Sequence, residues 1–263
     1  IMHRWKSKEM LKDEVRIIEL VERMITRRKE QMSLNTEVES VRQEKVIDMM
    51  INAAKGREDF SEKQVIDNSV TLLLAGHETT ANLLTWTVYL LAIHPEWQKQ
   101  AHAEVEGFSN LDFKEVSQLK TISMILWESL RLFPPQPIIG RVCTRENVAG
   151  GLVIPEKMEI VASLFALHCN RDIWGDNADE FQPKRFANGI NKACKNPLAF
   201  LPFGSGPRTC IGQSLALLEA RVILYFMLKT YSWELSPSYQ HSPDITLTLQ
   251  PRFGMPIILT RRN

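Results

Sequence analysis

Between residues 8 and 31, Leu11, Val15, Ile18, Val21 and Ile25 recur at three- and four-residue steps among charged positions, which predicts an amphipathic surface helix. A polar stretch from Gln31 to Glu44 follows, and then a short helical run from Lys45 to Ala54 that ends near Gly56. Ser61-Glu62-Lys63-Gln64 fits a capping box, and no proline interrupts the chain before Pro95, so one long helix is expected. At about 33 residues it would be roughly 50 Å long. Its stretches Val70 to Ala75 and Ala81 to Ala92 are apolar on most sides, so burial is expected along much of its length. Pro95 opens another helix through about Glu106, and a mostly apolar helix from Lys120 to Phe133 is stopped by Pro134-Pro135. Short β-prone pieces, Ile139 to Val142, Leu152 to Ile154 and Met158 to Val161, are punctuated by Gly150-Gly151 and Pro155 and predict a small sheet. After an irregular stretch from Asn170 to Thr209, a helix is expected from Ile211 to Thr230, with closing strands at Ile245 to Leu249 and Pro256 to Thr260. The fold class is therefore mainly α with a small β region.

Composition narrows the functions open to such a chain. The 263 residues are 44% apolar and 24% charged, enough for a packed core. Lys and Arg number 32 against 31 Asp and Glu, and a net charge of +1 offers little grip on a phosphate backbone, so nucleic acid is not an expected partner. Cys143, Cys169, Cys194 and Cys210 include no C-x-x-C pair and are too few for a disulfide scaffold, which points to a reducing compartment. No run reaches the 18 or so apolar residues of a membrane span, and the first residues are not a signal peptide. Residue 1 is Ile rather than an initiator Met, so the chain is expected to begin inside a longer one.

The sharpest chemical signal is Pro202-Phe203-Gly204-Ser205-Gly206-Pro207-Arg208-Thr209-Cys210-Ile211-Gly212, placed just before an apolar helix. A glycine-rich turn ending in a cysteine at a helix start sets the sulfur where backbone N–H groups and the helix dipole favour the thiolate, a metal ligand. Gly206 and Gly212 let a large planar group come close, Phe203 covers the sulfur, and Arg208 offers a cation to an anionic substituent. An isolated cysteine is usually an inert buried hydrophobe, but five fixed residues of F-x-x-G-x-R-x-C-x-G rarely assemble by chance. A zinc site lacks its other ligands, G-x-S-x-G is absent, and a phosphate loop would place Lys where Thr209 and Cys210 stand.

This segment resembles the haem-thiolate signature of the cytochrome P-450 monooxygenases, plant microsomal members in particular. Three further segments resemble family elements in the family's order. Ala75-Gly76-His77-Glu78-Thr79-Thr80, in the middle of the long helix, is similar to A-G-x-[D/E]-T-[T/S]. There the small pair packs against haem, while acid and alcohol deliver protons to dioxygen; by that match Glu78 relays and Thr79 steadies the activated oxygen. Glu128-Ser129-Leu130-Arg131 matches E-x-x-R on a helix apolar nearly all round, so both charges are expected to be buried. Phe181-Gln182-Pro183-Lys184-Arg185-Phe186 resembles P-E-R-F, with Lys184 in place of the usual acid, and supplies Arg185 as the third member of a structural cluster. Arg141 stands where family members often set a cation against a haem propionate. Thr71, Leu74, Ile138, Ile139, Leu247 and Thr248 are expected on the substrate side from their position alone.

The resemblance implies an incomplete cytochrome P-450 fold, the C-terminal half of a single domain. Its parts are leading helices in residues 1–60, the oxygen-activation helix in 61–94, the E-x-x-R region in 95–137, a small sheet and meander in 138–200, the thiolate loop and its helix in 201–230, and closing strands in 231–263. It further implies heme b (iron protoporphyrin IX) bound through Cys210, O2 as oxidant, and electrons from NADPH through a diflavin reductase. Lys192, Lys195 and Lys229 would form the reductase landing surface, a lipophilic small molecule would be the substrate, and an anchor in the missing N-terminal segment would hold the protein on the cytosolic face of the endoplasmic reticulum membrane. Two alternatives remain at this point: a truncated, catalytically incompetent fragment with weak or no haem binding, and a family member that rearranges peroxides without O2. The Glu78-Thr79 pair argues against the second, since that chemistry needs no proton delivery to dioxygen.

Overall fold

The structure, a computed structural model, describes residues 8–34, 45–56, 59–108 and 112–262. It divides into two compact units, residues 1–77 and 78–263, with the boundary inside the long helix.

In the first unit, helices α1 (Lys8–Leu34) and α2 (Val46–Gly56) and the start of α3 (Glu62–Ile93) bury Val21, Ile25, Ile51 and Val65 together. Of the predicted α1 stripe, Val21 and Ile25 are buried and Val15 is exposed, while the Leu11 side chain lies outside the described residues. Arg28 grips Asp48 with both ends of its guanidinium, at 2.6 and 2.7 Å. The same carboxylate accepts the Lys45 N–H at the start of α2. Hydrogen bonding to Arg28, opposed by burial and aided by the Lys45 N–H, lowers the Asp48 pKa to about 2. Helix α3 begins with the predicted box: Ser61 N–H donates to Gln64 Oε1 at 2.6 Å and Gln64 N–H returns to Ser61 Oγ at 3.4 Å. The expected burial of Val70 to Ala75 is met only in part: Val70 packs on this core and Leu72 is half-buried. Leu73 and Leu74 are more than half exposed, because no described side chain covers that face.

In the second unit, the remainder of α3 packs with α4 (Pro95–Glu106), α5 (Phe113–Val116), α6 (Lys120–Leu132) and, later in the chain, α9 (Gln213–Thr230). Ala101 and Val105 of α4, Ile122, Ile125 and Leu126 of α6, and Ala220, Leu224 and Leu228 of α9 are fully buried, at the three- and four-residue spacing of helix faces. Each large side chain in this set contributes about 1.5–3 kcal/mol through burial. Gln98 staples three elements, donating to Leu91 O and Trp233 O and accepting from Trp233 N–H.

Among the described residues the β region comprises four two-stranded antiparallel ribbons. Strands β1 (Ile138–Val142) and β4 (Glu159–Ser163) pair with Arg141 opposite Ile160. Strands β2 (Asn147–Ala149) and β3 (Leu152–Ile154) form a hairpin around Gly150-Gly151, whose positive φ values of 57 and 79° suit the right-handed twist of the strands. Short helices α7 (Leu164–His168) and α8 (Arg171–Trp174) lead into a run of 3-10 turns, and α9 passes directly into β5 (Tyr231–Leu235). Strand β5 pairs with β8 (Ile257–Arg261), and β6 (Pro243–Ile245) pairs with β7 (Leu249–Pro251). The predicted strand Ile245 to Leu249 is thus the tip of a hairpin. Ile245 and Leu249 face each other across it, and residues 246–248 make the turn.

Candidate active site

The Cys210 loop is held by its own backbone. Cys210 N–H donates to Phe203 O at 2.9 Å, Gly204 N–H to Leu201 O at 2.9 Å, and Thr209 N–H to Gly206 O at 3.0 Å. These closures need Gly204 and Gly206 at φ +72°, a region that side chains resist. Phe203 sets its ring edge against Trp127 of α6 at 6.3 Å, which ties the loop to the core. The sequence then turns through Gly212, the N-cap, into the 18 residues of α9. Cys210 is the exposed one of the four cysteines. Burial pushes the Cys169 and Cys194 thiols up, which suppresses their thiolates.

Among the described residues no group of three His, Cys, Asp or Glu side chains converges to hold a metal ion. A metal at Cys210 would therefore need to bring its other ligands with it, as an iron porphyrin does. The loop fits such a group: the sulfur faces outward, a Cβ at Gly206 would meet open space, and Arg208 is exposed beside it. Arg141 is exposed on β1, with one guanidinium nitrogen on Gly140 O at 2.8 Å.

Glu128, Arg131 and Arg185 meet as expected, and deeply. Arg131 and Glu128 are fully buried and pair through two hydrogen bonds of 2.8 Å each. The other Arg131 donors reach His168 O, Ala178 O and Glu180 O, so all five guanidinium protons are placed. Its guanidinium carbon lies 5.1 Å from the centroid of the Trp174 ring. Arg185 reaches Glu128 Oε1 at 3.3 Å and Trp174 O at 3.0 Å. Lys184 points to solvent, so an acid at that position is not needed for the cluster.

The sequence reading missed His168, a lone histidine in an apolar run. Its Nε2 accepts Leu201 N–H at 3.1 Å, so its Nδ1 carries the proton toward Arg131 O at 3.2 Å. The ring thus links the α6 cluster to the residue that opens the Cys210 loop. Burial first, and then the nearby Arg131 charge, lower its pKa to about 4, although the Arg131 carbonyl pulls the other way.

Glu78 and Thr79 are half-buried on α3. Glu78 Oε1 accepts from Thr248 Oγ1 at 2.9 Å and from Asn82 Nδ2 at 3.3 Å, and Asn82 also donates to Thr248 Oγ1 at 2.7 Å. Thr248, expected to face substrate, is 2% exposed and committed to this network, whereas Leu247 beside it is 58% exposed. Thr80 Oγ1 is a buried hydroxyl with no hydrogen-bond partner among the described residues. Thr71 donates to Asp67 O within α3, and Leu74 is exposed; with Ala75 and Gly76 they belong to the first unit. Ile138 lines a cavity of about 610 Å³ that also takes in Phe133, Phe165 and His241, and neither Cys210 nor Glu78 borders it. Lys192, Lys195 and Lys229 are all exposed, and the Lys229 ammonium also donates to Val105 O and Phe108 O at the end of α4. No helix among the described residues is long and apolar enough to cross a membrane.

The cytochrome P450 family model matches residues 2–257. Cytochrome P450 CYP72A616 of Paris polyphylla is 43% identical over 205 residues, 77% of this chain and 40% of the relative. The 11-oxo-beta-amyrin 30-oxidase of Medicago truncatula is 46% identical over 203 residues, 76% and 39% of the two chains. Cytochrome P450 734A1 of Arabidopsis thaliana is 38% identical over 265 residues, 98% and 49%. The chain spans about half the length of the relatives it matches, or less. With its mostly helical fold, small β ribbons and outward-facing Cys210, the chain belongs to the cytochrome P450 family.

Proposed function

We propose that the protein is a haem-thiolate monooxygenase, converting a lipophilic substrate RH by RH + O2 + NADPH + H⁺ → ROH + H2O + NADP⁺. The observation that carries this reading is Cys210, an exposed sulfur on a backbone-closed glycine loop at the start of α9. Haem, when bound there, supplies the redox chemistry. The residues of the chain do the rest. Cys210 stands just before the N-terminus of α9 to hold the iron, and the exposed Arg208 and Arg141 are cations for carboxylate substituents. Glu78 and Thr79 move protons at a carboxylate oxygen and a hydroxyl. Glu128, Arg131 and Arg185 lock the segment from Trp174 to Arg185, and His168 holds Leu201 where the loop begins.

The exposed apolar side chains of Ile138 and Leu247 favour a lipophilic substrate, and two relatives are named 11-oxo-beta-amyrin 30-oxidase. NADPH electrons would arrive through a diflavin reductase near the exposed Lys192, Lys195 and Lys229, at the cytosolic face of the endoplasmic reticulum. The test is the absorption of the reduced, haem-loaded protein under CO. The parent shows the red-shifted Soret band of a thiolate-ligated carbonyl and Cys210→Ala does not; an unchanged band in the alanine variant would remove Cys210 as the ligand.

A further inference from the structure

Glu78, Asn82 and Trp86 follow one another at four-residue steps and therefore share a face of α3. All three meet the β6–β7 hairpin. Trp86 Nε1–H donates to Leu249 O at 2.8 Å, and Leu249 N–H in turn donates to Pro135 O at 2.9 Å, just beyond α6. Clamped at residue 249 from both sides, the hairpin brings the adjacent Thr248 to the Glu78 carboxylate, 170 residues away in sequence. Two donors then converge on one oxygen, Glu78 Oε1, while Asn82 also donates to the Thr248 hydroxyl and so orients its proton toward Glu78. Oε2 accepts from no described group.

We infer that Thr248 and Asn82 are positioning residues for Glu78: they pin Oε1 and leave Oε2 as the oxygen that takes and gives up the proton. The inference rests on the monooxygenase reading above and deepens it, since it moves Thr248 from the substrate surface to the proton-handling machinery. A carboxylate whose side chain wanders would pass its proton less often. Dioxygen would then be released as peroxide, O2 + NADPH + H⁺ → H2O2 + NADP⁺, instead of being split.

The experiment compares Thr248→Val, Thr248→Ser and Asn82→Leu in the haem-loaded protein, each first checked for the parent's CO band. Valine keeps the shape and loses the hydroxyl, and it should raise the ratio of peroxide to product roughly tenfold, the worth of one hydrogen bond to a charged group. Serine, which restores the donor, should return the ratio to within about twofold of the parent, and Asn82→Leu should follow valine by the same reasoning. A parent-like ratio in both Thr248→Val and Asn82→Leu, or no rescue by serine, overturns the proposal. A second readout needs no turnover. In a cycle of Glu78→Gln, Thr248→Val and the double variant on the haem-free chain, the unfolding constants should be non-additive by about fivefold or more. Additive values overturn the proposal whatever the parent's spectrum. A parent without the thiolate band, with coupling intact, instead defeats the monooxygenase reading and with it the proton-handling role, while the contact itself stands.

Discussion

The Arg131 cluster and the Cys210 loop are neighbours through His168, yet they treat their polar groups in opposite ways. Around Arg131 every donor of the guanidinium ends on a protein acceptor, and both charges of the pair are fully buried. Around Cys210 the backbone is closed by hydrogen bonds, but the side chain itself is exposed. A saturated buried network holds a fold in place and has no valence left for a ligand. An exposed sulfur on a rigid loop contributes little to the fold and is free to bond something else. Sorting residues by this contrast separates those that shape the site from those that do its chemistry, and it is open to measurement.

The largest expected effect lies in the cluster. Arg131→Met strands the buried Glu128 carboxylate and should lower unfolding stability in urea by about 3–5 kcal/mol; a loss under about 1 kcal/mol would place solvent in the cluster and break the contrast. The next effect is a pH dependence at the hinge between the two regions. His168 is neutral when folded, with its pKa at about 4, so below its ordinary value of 6.5 the unfolded chain binds a proton that the native one does not. Stability should therefore fall as pH drops from 6.5 to 4, on the order of 3 kcal/mol in all. His168→Gln should flatten that slope, and an unchanged slope would assign it elsewhere. In the first unit Asp48 acts in a lower window: its depressed pKa stabilises the native state above 3.8, and that contribution is lost as pH falls through about 2. A smaller effect is expected at Lys229. Lys229→Met removes the donor from the end of α4 and should cost about 1 kcal/mol, whereas Lys192→Met should stay within about 0.5 kcal/mol; equal costs would mean that the two Lys229 hydrogen bonds add nothing to the fold. The smallest belongs to the loop, where Cys210→Ala should leave stability within about 0.5 kcal/mol of the parent.

Much of this was legible before any coordinates. The capping box at Ser61, the proline that starts α4 and the pair that ends α6 punctuate the chain with local chemistry, and the structure follows them. The burial of Glu128 and Arg131 followed from the apolar residues around them on α6. What escaped depends on partners far along the chain. Residues 246–248, Thr-Leu-Thr, contain no glycine or proline, so their β-prone character conceals the hairpin turn and with it the route of Thr248 to Glu78. Strand β5 follows α9 with no breaker between them, because Tyr231 itself switches to extended backbone at φ −132°, ψ 152°. The apolar run from Val70 to Ala75 reads as buried from composition alone, yet hydrophobicity does not specify what covers it, and Leu73 and Leu74 are exposed. His168 carries no motif; only the carbonyl and N–H that flank its ring reveal its part.

The claim that one outward-facing sulfur is the point of attachment for haem can be read directly by alkylating the four cysteines with iodoacetamide and following each by mass spectrometry, with and without stoichiometric haem. Cys210 should label fastest of the four in the haem-free chain and become protected on haem loading, while Cys143, Cys169 and Cys194 keep their rates. Haem bound in full with Cys210 still labelled at its haem-free rate would contradict the account.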